Sequence, residues 1–197
     1  MFYTEGRRAR LPGRLAIDWV RVDERGRTTR GDPDRVEDAL GYAADVLAIA
    51  DGVIAAARDG VPESPRVSQN PPHATADAAG NFIALRLADG RSAIYEHLRP
   101  GSLRVKAGDT VRRGDVIAQL GFTGDSTGPH LHFHVADAPS PLGGEGVADA
   151  FAAFSLLGRY DDLSRLGAEP WQPLGPGLAP ERRGEFPGSN VVVRFAP

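Results

Sequence analysis

Three histidines alternate with apolar residues in His130-Leu-His-Phe-His-Val135, directly after the Gly-rich stretch Gly121-Phe-Thr-Gly-Asp-Ser-Thr-Gly-Pro129. Read as a strand, the segment sends His130, His132 and His134 to one face and Leu131, Phe133 and Val135 to the other. Three of the five histidines of the chain fall within these five residues. Outer strand faces are ordinarily filled by Thr, Lys, Glu or Arg, whereas imidazole is the commonest metal ligand and a general base near neutral pH. The row therefore predicts a metal or proton-transfer site rather than a plain polar face.

A hydrolytic zinc centre takes three protein ligands and leaves one position open. It also needs a base for the water proton and a donor for the developing oxyanion. The sequence offers further parts on separate segments. Asp18 ends the apolar run Leu15-Ala-Ile17, where an unpaired carboxylate would be costly to bury. His97 sits in Tyr95-Glu-His-Leu98, at the end of a strand-like run. Strand alternation puts Glu96 on the opposite face from His97, so Glu96 is expected at a solvated surface. Gly121, Gly124 and Gly128 are expected to shape a turn and not to cradle a phosphate, since no helix follows. Asp125 and Ser126 read as turn formers, and Trp19 and Trp171 as packing residues. No Gly-x-Ser-x-Gly elbow is present for a serine hydrolase.

Composition narrows the classes. The 197 residues suit one domain, or one domain with a tail, and 41% apolar content supplies a core. A net charge of −3 gives no basis for nucleic acid or an acidic membrane as partner. The absence of cysteine excludes thiolate catalysis, Cys-ligated zinc and disulfides. No apolar run is long enough to predict a membrane span. The first residues, Met1-Phe-Tyr-Thr-Glu-Gly-Arg-Arg, lack the apolar stretch of a signal peptide.

The elements that must position these groups are mostly short strands. Residues 35–44 suit one or two helical turns. Residues 46–55 suggest two strands in a hairpin about Asp51-Gly52, and residues 60–80 a long loop. Asn81–Leu87 and Ser92–Leu98 flank Asp89-Gly90 as a second hairpin, and short strands continue from Val105 to Leu120. Many strands at close spacing predict an all-β, antiparallel domain. After residue 138, Pro139, Pro141, Gly143 and Gly144 mark a linker. Phe151–Leu157 is expected as a short helix and Val191–Phe195 as a last strand. The expected organisation is a domain at 1–138 with a Pro/Gly-rich extension at 139–197 packed on it.

Gly128-Pro-His-Leu-His-Phe133 in its Gly-rich context resembles the signature of the LytM/lysostaphin-type zinc metallopeptidases, the bacterial peptidoglycan endopeptidases. Asp45-Val-Leu-Ala-Ile-Ala-Asp-Gly-Val53, Gly80-Asn-Phe-Ile83, Ile94-Tyr-Glu-His-Leu98 and the segment 105–117 match in order, so the resemblance covers roughly residues 14–136. It implies a duplicated hybrid-motif fold and zinc-dependent hydrolysis of peptides in cell-wall peptidoglycan. It also implies that Asp18 and His132 ligate zinc, while His97 and His130 polarise water and stabilise the tetrahedral intermediate. The cell envelope is the compartment it implies.

One family ligand is missing. The first motif of the family is His-x-x-x-Asp, and Arg14 stands four residues before Asp18. A guanidinium stays protonated and has no lone pair for a metal. Three readings follow. Met1 is an internal start and a ligand lies upstream; or His73 or His134 substitutes; or the site is degenerate. The last gives an alternative function, a catalytically silent module that binds peptidoglycan or regulates another wall hydrolase. A biotinyl- or lipoyl-type carrier, suggested by residues 105–115, is discounted because Lys106, the one lysine, is not at a hairpin tip.

Overall fold

The computed structural model describes residues 3–5 and 8–196. Its strands, in chain order, are β1 (Tyr3–Glu5), β2 (Arg8–Arg10), β3 (Ile17–Trp19), β4 (Asp45–Leu47), β5 (Gly52–Arg58), β6 (Asn81–Arg86) and β7 (Ser92–Leu98). They continue as β8 (Thr110–Val111), β9 (Val116–Gln119), β10 (Leu131–Ala136), β11 (Phe154–Arg159), β12 (Gln172–Pro173), β13 (Glu181–Arg182) and β14 (Val191–Arg194). The fold is all-β and every strand pair is antiparallel. Among the described residues helix is limited to short 3-10 turns, such as Val36–Asp38, and none is long and apolar enough to cross a membrane.

The central sheet runs β3-β10-β7-β6-β5-β8. Alternation along its strands sorts the side chains. Ile83, Leu85, Ala93, Tyr95, Phe133 and Val135 share one core with Val46, Ile117 and Ala118 of the β4–β9 pair. Ala84, Ile94 and Ala136 are buried on the other side, the side of His132 and His134. The Tyr95 hydroxyl accepts the backbone N–H of Ile49 at 3.0 Å, so this buried phenol is satisfied within the core.

Two local expectations are corrected. The two strands within residues 46–55 do not form a hairpin: β4 pairs with β9, and β5 pairs with β6 and β8. Val46 and Ile54 both enter the shared core, and that burial outweighs the local turn signal at Asp51-Gly52. Phe151–Leu157 is not helical: Phe154 to Arg159 is a strand, the one that β12, β13 and β14 join. Its apolar residues have no helix face to fill and pair edge to edge instead. Residues 35–44 hold one helical turn, of 3-10 type, within the one or two expected.

The second hairpin does form, as β6 and β7. Residues 139–197 lie against the central sheet through aromatic rings. Trp19 of β3 meets Phe151 and Phe195 edge-on, with centroids 5.7 and 5.4 Å away, and Phe151 also reaches Phe133. Trp19 thus packs as expected, and the contact fixes β3, the strand that carries Asp18.

Candidate active site

Register brings the distant residues together. On β10, His132 stands opposite Asp18 of β3 on one side and Glu96 of β7 on the other. Directly paired residues project to the same face. Asp18, His132 and Glu96 therefore form one row across three strands, although Asp18 and His132 are 114 residues apart. His130 immediately precedes β10 rather than lying within it. Its Nδ1 sits 2.8 Å from the Gly128 carbonyl, inside the Gly-rich turn.

His97 enters by breaking the strand rule. The β6–β7 register shifts between Asn81 and Ile83, which leaves one extra residue on β7 at Glu96 and His97. His97 takes up the turn with φ at +61°, a left-handed conformation that costs a non-glycine residue about 1–2 kcal/mol. Alternation is lost there, so Glu96 and His97 both turn towards His132, and Leu98 returns to the core. The expectation of a solvated Glu96 is thereby corrected: it is 8% exposed, across from His132.

A polar network holds this bulge. His97 N–H donates to the Ala79 carbonyl, and His97 Nδ1 donates to the Thr123 carbonyl at 2.8 Å. Thr123 Oγ1 accepts from Asn81 N–H and donates to the Leu98 carbonyl, and Asn81 Nδ2 donates to the same carbonyl. With Nδ1 committed, the lone pair of His97 is on Nε2, on the side where His130 packs with ring centroids 4.8 Å apart.

Asp18 is the electrostatic centre. His132 Nδ1 donates to its Oδ1 at 2.7 Å, and His130 Nε2 lies 3.4 Å from the same oxygen. Hydrogen bonding from His130 and then His132 holds the Asp18 carboxyl well below the usual carboxylate range. Burial lowers His132, but the hydrogen bond to Asp18 and the charges of Glu96 and Asp18 outweigh it and leave His132 raised. Burial, then the charge of His130, pushes His97 down to about 3, so it is a neutral base. Burial brings His134 down to about 4 and Glu96 up to about 7. A groove of about 940 Å³ opens from Asp18 and His130 towards Tyr160, Trp171 and Val191.

Metal-ligating atoms converge twice. His97, His130 and His132 bring one ligand atom each to within 4.8 Å of one another, and Glu96, His132 and His134 do the same. Imidazole and carboxylate are the donors zinc takes, so the residues present fit such an ion. His73 belongs to neither group. It lines a separate groove with Arg58, Asn70 and Asp77. Arg14 lies in the turn before β3 and is exposed, with its Nη1 3.8 Å from Glu145 Oε1. Sequence reasoning missed Glu96, since a left-handed histidine inside a strand has no sequence signal.

Residues 36–143 match Peptidase family M23, and the chain belongs to that family. Asp18 lies before the matched segment and joins the site through the β3–β10 pairing. Over 69 residues the chain is 41% identical to the DD-carboxypeptidase/endopeptidase Mpg of Neisseria meningitidis serogroup B, covering 35% of this chain and 15% of that protein. Over 120 residues it is 32% identical to the peptidoglycan DD-endopeptidase ShyC of Vibrio cholerae serotype O1, covering 61% of this chain and 25% of that protein. The chain thus spans a minor part of the length of these curated relatives. The catalytic domain of lysostaphin from Staphylococcus simulans is a structural neighbour, with 29% identity and a TM-score of 0.40 over 54% of this chain and 69% of that one.

Proposed function

We propose that this chain is a zinc-dependent endopeptidase that cuts peptide bonds in cell-wall peptidoglycan and works in the cell envelope. The convergence of Asp18, His97, His130 and His132, of which Asp18 and His130 line the groove, carries the reading. Membership of family M23 and the names of the relatives support the substrate class. A zinc ion, when held by His132, would polarise the scissile carbonyl and lower the pKa of water.

The side chains supply the rest. His97, neutral and oriented by its hydrogen bond to Thr123, presents Nε2 as the acceptor for the proton of the attacking water. The same nitrogen then returns that proton to the leaving amine. His130, tied through Nδ1 to the Gly128 carbonyl, aims Nε2 at the groove, and with a proton there it donates to the oxyanion. Asp18 keeps His132 in one orientation through Nδ1.

Cross-linked muropeptide dimers tested with the full chain decide the matter. Zinc-loaded protein is expected to convert dimers to monomers, and a chelator is expected to stop it. The position of Arg14, where the family carries a ligand, favours a second reading, a catalytically silent module that binds peptidoglycan. Intact dimers with folded, zinc-loaded chain, together with co-sedimentation of the chain with sacculi, would establish that reading instead.

A further inference from the structure

One of the two ligand clusters lies deeper in the sheet and plays no part in the proton transfers above. Glu96, His132 and His134 are placed by strand register, not by loops. Glu96 is opposite His132, and His134 follows two residues along the same strand, so all three share one face. Their ligand atoms lie within 4.8 Å of one another. Glu96 Oε1 and His134 Nδ1 are 3.7 Å apart, close to the separation of about 3.4 Å between neighbouring ligand atoms around a tetrahedral zinc.

One member of the cluster, His134, is unsatisfied as it stands. His134 is 1% exposed, and among the described residues neither of its ring nitrogens has a hydrogen-bond partner. Buried polar atoms are rarely left so, and a buried carboxylate beside them adds its own desolvation cost. A divalent cation would give one ring nitrogen of His134 a partner and offset the charge of the carboxylate at once. The groove at His73 has no comparable set, because Asp77 there is already paired with Arg58.

We propose that Glu96, His132 and His134 are the three protein ligands of a zinc-type cation, and that they replace the ligand missing at Arg14. The choice of metal rests on the endopeptidase reading. Asp18 then becomes a positioning residue. It holds His132 through Nδ1–H and leaves Nε2 for the ion, as carboxylates behind metal-bound histidines do.

Zinc affinity of the chelator-stripped full chain, measured by competition with a chromophoric chelator, tests this without any activity assay. Wild-type protein is expected to bind one equivalent. Glu96→Gln and His134→Gln are each expected to weaken binding by at least about ten-fold, and Asp18→Asn by less than either. Nitrogen NMR of the histidine rings needs no variant, and zinc is expected to shift both His132 and His134. An unmoved His134 ring overturns the proposal. So does wild-type affinity in both Gln variants with binding abolished in Asp18→Asn, which would leave the endopeptidase reading standing. A wild-type chain that binds no zinc overturns both.

Discussion

Asp18 shows how a single exposed carboxylate can organise two imidazoles. Its Oδ1 takes a hydrogen bond from His132 and faces His130, and its register partner His132 carries the row on to Glu96. Away from the groove, Tyr42 anchors the turn that orients His97. Its hydroxyl donates to Glu63, whose other oxygen accepts the N–H of Phe122. Burial and then that carboxylate push Tyr42 up to about 12 from 10. The unfolded chain ionises this phenol near pH 10 and the folded chain resists. The contribution is complete below pH 10 and disappears as pH rises towards 12. Thermal melting at stepped pH is expected to show a falling midpoint across that window. Tyr42→Phe should melt lower at pH 8, by about 1 kcal/mol of stability, and fall less steeply above pH 10. An unchanged alkaline slope in Tyr42→Phe would remove the role given to this hydroxyl.

At the scale of elements, the bulge in β7 is the device that makes the site. It depends on close approach of two loops at Gly80 and Thr123. Gly80 has φ at +61°, and a Cβ there would overlap Thr123 Oγ1 and its carbonyl carbon. Gly80→Ala is expected to displace Thr123, release His97 Nδ1 and cost about 1–3 kcal/mol of stability. Turnover should fall while zinc affinity is kept, which steady-state kinetics beside a zinc titration would check. The strand carrying His132 and His134, the β6–β7 hairpin and the last strand were legible from alternation and turn residues. Asp18, His97, His130 and His132 were legible from motif spacing, and the structure brings them together. Glu96 was not, because alternation holds only while the strand is regular. The pairing of β4 with β9 was not legible either, because it answers to a core shared by distant segments. Nor was β11, whose short apolar run fits helix and strand alike until its partners are in place.

At the scale of the whole molecule, the central sheet and the residues after 138 together shape the groove. The central sheet and the turn before β10 supply Asp18 and His130, and the later residues supply Tyr160, Trp171 and Val191. Trp19, clasped by Phe151 and Phe195, joins the two parts beside Asp18. In the proposed metallopeptidase site His132 would hold metal and His97 would move protons. Zinc content and cleavage of muropeptide dimers, measured on the same samples of wild type, His132→Ala and His97→Ala, test it most directly. The wild type is expected to carry zinc and cleave. His132→Ala should lose both, and His97→Ala should keep its zinc while turnover falls by about 10²–10⁴-fold. Equal zinc loss in the two variants, or full turnover in His97→Ala, would contradict it.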